Sequence, residues 1–160
     1  MGIGKKASVV YLIDFGLSKQ FRDPNTHLHI PCINVHGLTG TAVFTSIRSH
    51  LGWELSRQDD LESLAYILIY FLRGSLPWQS SGHEDEREES VLKIKQRITA
   101  HDLCHGLPVE FCKFLEYTHS LSFDDKPDYN YLCSLFENCL LREGFNNLSF
   151  DWSPFDGADY

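Results

Sequence analysis

Four groupings in this sequence hold side chains that could do chemistry. Asp14-Phe15-Gly16 directly follows the apolar run Val9-Val10-Tyr11-Leu12-Ile13. An Asp-x-Gly tripeptide is commonly an ordinary turn, the Asp carboxylate bonding backbone two residues on. A functional carboxylate there needs support from the rest of the chain, because Asp-Phe-Gly alone matches by chance in a chain of this length at a rate on the order of a few per cent. Asp59-Asp60 precede an apolar-periodic stretch and can serve as a helix N-cap. His101, Asp102, Cys104 and His105 are metal-ligand types. Gly106 and Pro108 break the helix that would present them together, which favours an ordinary connecting segment. His27 and His29 lie in a polar stretch with no third ligand at a recognisable spacing, so they read as exposed loop residues.

The elements that must position these groups are mostly helical. Residues 9–13 form a β-rich apolar run, and with Gly2, Gly4, Lys5 and Lys6 before it the pattern predicts a hairpin. Residues 15–46 carry Gly, Pro, Asn, Thr and His without periodicity, a loop long enough to suggest function. Leu61, Leu64, Ala65, Leu68 and Leu72 recur at helical spacing. Ile67, Ile69, Tyr70 and Phe71 make this predicted helix, 60–72, apolar nearly all round and therefore buried. Arg73-Gly74 and then Pro77 end it. Residues 83–90, HEDEREES, read as a solvated acidic stretch leading into a helix over 91–99. Two more helices are predicted over 108–119 and 129–143.

Composition narrows the partners. The chain's 160 residues fit one domain, and 42% hydrophobic content with 11 Phe is enough for a packed core. A formal charge of −8 disfavours nucleic acid or an anionic membrane as an unaided partner. The start, MGIGKKAS, has no apolar signal core, Lys6 stands where a myristoylation signal needs Ser or Thr, and no stretch has the length of a membrane span. Five Cys with no CxxC pair predict a reduced, intracellular protein (cytoplasm or nucleus) with mostly buried thiols.

Ordered blocks then connect the groupings. Leu12-Ile13-Asp14-Phe15-Gly16-Leu17-Ser18-Lys19 is followed by Phe21-Arg22-Asp23-Pro24, Leu38-Thr39-Gly40-Thr41, Ser46-Ile47 and His50-Leu51-Gly52. After these come residues 56–64 (SRQDDLESL), Arg73-Gly74-Ser75-Leu76-Pro77-Trp78-Gln79, Pro127-Asp128-Tyr129, Tyr131-Leu132 and Phe150-Asp151-Trp152. In that order they closely resemble the casein kinase I family of serine/threonine protein kinases along nearly the whole chain. The resemblance implies a mainly α C-terminal lobe of the protein-kinase fold with a short N-terminal β-hairpin. It makes residues 1–160 a partial kinase domain, with an activation segment at about 14–50. By the same resemblance Asp14 is the Mg²⁺ ligand, Thr41 sits beside the catalytic Asp, and Asp60 braces the catalytic loop by accepting backbone N–H bonds. Trp78 is core packing.

Other parts that the resemblance demands are missing. A kinase needs a Gly-rich loop, a Lys with its Glu partner and an HRD-x-x-x-x-N loop, all before the DFG motif. Only 13 residues precede Asp14, and none supplies them. Arg48 stands in place of the family's Asn, Val43 of an Arg and His36 of a Lys, so anion reading should weaken. The acidic 83–90 stretch replaces a basic one, and Cys133 replaces an Arg expected to pair with a Glu under the activation segment. The expectation is a truncated kinase domain, inactive as this chain, binding neither ATP nor Mg²⁺ tightly. The alternatives are a binding or decoy module that docks on a kinase or substrate protein, or an incomplete gene model of an active kinase. Self-association through exposed apolar surface is also expected.

Overall fold

The computed structural model describes residues 2, 6–79 and 84–145, with backbone alone over 84–90. Six helices follow one another: α1 (Ile47–His50), α2 (Arg57–Arg73), α3 (Glu84–Arg97), α4 (Ala100–Leu103), α5 (Val109–Ser120) and α6 (Tyr129–Arg142). The chain is mainly α. Among the described residues β pairing is limited to two isolated antiparallel bridges, Arg22 with His29 and Asn34 with Trp53.

Local chemistry sets the helix ends. Ser56, not Asp59 or Asp60, is the N-cap of α2, and the Asp59 carboxylate accepts from the Ser56 N–H at 2.8 Å. Asp60 therefore lies inside the first turn, where a negative side chain suits the helix dipole. Gly74 ends the helix at φ 76°, a left-handed conformation that a residue without Cβ adopts freely, and its N–H reaches Tyr70 O at 2.8 Å. Thr99 caps α4 by accepting from Asp102 N, and Asp128 caps α6 by accepting from Tyr131 N at 2.9 Å. α3 begins at Glu84, well before the expected start at 91, so the acidic stretch is helical over 84–90. Phe150-Asp151-Trp152 lies outside the described residues.

The core sits between α2 and α5, closed by α4 and α6. Ile69, Leu103 and Leu115 are essentially inaccessible, and Trp78 stands edge-on to Tyr66 with ring centroids 5.1 Å apart. Each such apolar side chain contributes roughly 1.5–3 kcal/mol by leaving water. α2 is not apolar-covered all round as expected. Leu61, Ala65, Tyr66 and Ile69 are buried, but Phe71 is 72% exposed, and Leu64 and Leu72 are also exposed. No described residue before Thr45 is buried. The strand expected over 9–13 is not formed among the described residues: Val9–Ile13 are all exposed, Leu12 by 82%. An apolar run becomes a strand only against a partner that takes up its N–H and C=O groups; among the described residues only Val9 is held in this way, its N–H by Lys6 O and its C=O by Gly2 N–H, each at 2.9 Å. No described helix is long and apolar enough to cross a membrane.

The cysteines are all free thiols. Cys104 and Cys139 are buried, Cys112 half-buried, and Cys32 and Cys133 exposed, so fewer thiols are buried than composition suggested. Burial pushes the Cys104 thiol up to about 12.

Candidate functional site

A cavity of ≈ 680 Å³ opens between residues 14–21, the turn after Thr39 and the first turns of α2. It brings together Asp14, Thr41 and Asp60, the three residues singled out from sequence. Asp14 holds φ at 63°, a region that few residues other than Gly adopt, and its Oδ1 accepts from Gly16 N at 3.3 Å. The Asp-x-Gly turn is thus present, and it presents the carboxylate at the cavity rim. Thr41 anchors a tight turn, its carbonyl accepting from Phe44 N at 2.9 Å and Thr45 N at 3.0 Å. Asp60 accepts no hydrogen bond from the described residues. Burial raises its pKa and the charge of Lys19 opposes the rise; Lys19 itself forms an ion pair with Glu54.

The wall after Thr39 is tied down from beneath. The Thr45 and Ser49 hydroxyls both donate to Thr39 O, each at 2.8 Å. Ser46 caps α1 through Ser49 N and donates to Asp59 Oδ1 at 2.7 Å. Burial raises the Asp59 pKa, with the bonds from Ser56 and Ser46 acting against it. Glu62 of α2, 3% exposed, accepts from Ile47 N at 3.0 Å and Tyr66 Oη at 2.7 Å, and lies 3.6 Å from His119 Nε2. Burial is the largest effect and raises the Glu62 pKa, but these three partners together outweigh it and the net shift is downward. From α3, Lys95 is 2% exposed. Its Nζ donates to Ala42 O at 2.9 Å and Thr45 O at 2.6 Å, lies 3.2 Å from His50 Nε2, and faces the Tyr66 and Trp78 rings. Burial pulls its pKa down to about 7, with Glu62 opposing. Burial and the Lys95 charge bring His50 down to about 4. Trp78 Nε1 donates to Val43 O at 2.8 Å, so its role extends beyond packing.

Sequence reasoning missed Glu62 and Lys95. Both lie in helices among polar neighbours, and only tertiary packing makes them internal. Other expectations are corrected here. Val43 packs partly buried against the core. Cys133 is exposed, and Glu62, which lies beneath Ile47, has its own partners. Glu110 is also paired, accepting from both terminal nitrogens of Arg142. His29 is half-buried between Phe21 and Phe123, not an exposed loop residue. His101 is exposed beside Asp102, while Cys104 faces the core.

The cavity lining includes the carboxylates of Asp14, Asp59 and Asp60, several hydroxyls with that of Thr41 among them, and the cationic side chains of Lys19 and Arg57. Among the described residues no three His, Cys, Asp or Glu side chains converge closely enough to hold a metal ion. The chain matches no protein-family model.

Proposed function

We propose that this chain is the C-terminal lobe of a serine/threonine protein kinase of casein kinase I type, catalytically incomplete by itself. The observation that carries this reading is the single cavity that collects Asp14, Thr41 and Asp60 from three separate parts of the chain. The ordered sequence blocks support it, and so does the segment of about 14–50 running along the cavity. Its substrate class is Ser or Thr in proteins, and its setting intracellular.

The cofactors implied by the resemblance are ATP and Mg²⁺. The residues present do not fit them as a tight site. Asp14 and Asp60 supply two oxygen-donor side chains, Asp59 is committed to Ser46 and Ser56, and Lys19, the lysine that lines the cavity, is paired with Glu54. The resemblance places the general base in an HRD loop ahead of the DFG motif, and residues 1–13 carry no such loop. Incubated with radiolabelled ATP, Mg²⁺ and casein, the 160-residue chain should give only background incorporation, and calorimetric titration should show no micromolar nucleotide site. Label above the no-protein control, lost in Asp14→Asn, overturns the claim of incompleteness.

A second reading, a lobe that docks on another protein, is favoured by the apolar side chains left in water. Leu12 is 82%, Ile13 81% and Phe71 72% exposed. Isolated chains should associate through them. Sedimentation velocity should show mass increasing with concentration, and the increase should fall in a Leu12→Glu, Phe71→Glu double variant. A monodisperse monomer at all concentrations contradicts this.

A further inference from the structure

Three buried side-chain nitrogens have no hydrogen-bond partner among the described residues: His29 Nε2, Arg48 Nε and Arg57 Nε. They are not scattered. The His29 ring stands edge-on to Phe123 at 4.8 Å and lies 5.8 Å from Phe21. The Arg48 guanidinium sits over Phe123 at 5.7 Å and that of Arg57 over Phe21 at 4.2 Å. Arg57 Nη2 also donates to Asp124 O at 2.9 Å, and Arg48 Nη2 to Cys32 Sγ at 3.1 Å. All three therefore surround one seam, where residues 21–34 meet residues 121–125 beside the start of α2.

Neither arginine forms an ion pair with a described residue, although the chain has 22 acidic side chains against 14 basic ones. A buried guanidinium N–H without an acceptor is costly, and acceptors commonly supply the missing partner. His29 Nδ1 faces Ile30 O at 2.9 Å and so carries a proton, which leaves Nε2 to become a donor when the ring is protonated. We propose that this seam is an oxyanion site that takes a phosphoryl group between Arg48 and Arg57, with His29 as a third donor in its imidazolium form.

The chemistry favours a tetrahedral anion over a carboxylate. The two guanidiniums approach over different rings, and a phosphoryl group presents oxygens in several directions where a carboxylate presents one planar edge. Two positive charges match its dianionic form. The acidic groups facing the seam oppose binding and limit its strength: Asp59, attracted to Arg48 but bonded to Ser46 and Ser56, and the exposed Asp124 and Asp125, the latter accepting from Ser122 N. Arg57 and Phe21 also line the cavity, so the seam adjoins it, while Arg48, His29 and Phe123 lie outside its lining.

The test titrates the full chain with inorganic phosphate and, separately, with a phosphoserine peptide, at matched chloride, following the arginine Nε–H resonances by NMR. Saturable binding should shift the Arg48 and Arg57 Nε–H signals. Arg48→Gln and Arg57→Gln should each weaken it about tenfold or more, as expected for a charged hydrogen bond. Arg97→Gln, on an exposed part of α3, should leave it unchanged. His29→Phe keeps the ring stack but removes the third donor, so it should weaken binding by less than either arginine variant. Tighter binding of the peptide assigns the anion to a phosphorylated protein segment, and equal binding assigns free phosphate. Should Arg57→Gln fail to fold, Arg48→Gln and His29→Phe decide the question. No saturable shift with either probe, or equal weakening by Arg97→Gln, overturns the proposal and leaves the nitrogens to bridging water.

Discussion

Raising the pH from about 6 to about 9 should stabilise the native chain while leaving a Lys95→Met variant behind. The sign follows from burial. Lys95 has a folded pKa of about 7, below its ordinary 10.5, so above about pH 7 the unfolded chain binds the proton that the folded chain has lost. Stability then rises with pH, from the folded value up to the unfolded one. Across this range the gain is about 2–3 kcal/mol, or several degrees in Tm for a domain of this size. The surroundings tolerate both protonation states. As an ammonium, Nζ donates to Ala42 O, Thr45 O and a bare His50 Nε2. As an amine, it keeps the two carbonyls and can accept from His50 once the imidazole proton moves to Nε2. Met fills the space but gives those carbonyls no donor. Thermal melts of both proteins at a series of pH values read the difference directly. Parallel curves would mean that Lys95 keeps its proton throughout.

The second large effect belongs to Glu62. Glu62→Ala removes the acceptor for Ile47 N–H and for the buried Tyr66 hydroxyl together, and strands His119. Each unsatisfied buried donor costs about 1–3 kcal/mol, so a loss of about 3 kcal/mol or more is expected from a total of about 5–15. Glu62→Gln, which keeps one acceptor oxygen, should lose less. Because the folded pKa of Glu62 lies below its ordinary value, its contribution is fully present above about pH 4.5 and fades as acid protonates it. The acid-unfolding curve of Glu62→Gln should therefore be shallower than that of the native chain. Urea melts settle the magnitude; an Ala variant within about 0.5 kcal/mol of native would falsify the account of a buried charge serving three partners.

What the sequence revealed depended on whether the signal was local. α5 and α6 were legible to within about a residue because Pro108 and Asp128 mark their starts in any context. The start of α3 was hidden, since an acidic run without an apolar stripe reads as loop even though acidic residues suit a helix N-terminus. The run 9–13 has the composition of a strand, but pairing depends on a neighbour that no local pattern encodes. Asp14, Thr41 and Asp60 were legible as a set only through the order of the blocks. The environment of Asp60, inside the first turn and without a hydrogen bond from the described residues, was not. Lys95 and Glu62 were invisible, because a charged residue in a helix is ordinarily a solvent-facing one.

The lack of any buried residue over 6–44 has a consequence for how this chain can change. All the described buried residues lie from Thr45 to Cys139, and a substitution at one of them is tested first against close packing. Before Thr45 that filter is nearly silent. Apart from Val43 and Phe44, which pack on the core, an altered residue there costs the helices almost nothing, so only what the segment touches can hold its sequence in place. Asp14 at the cavity and His29 in the aromatic seam sit in the part of the molecule that drift can rewrite most cheaply, and a lineage could gain or lose either one while its helices stay the same.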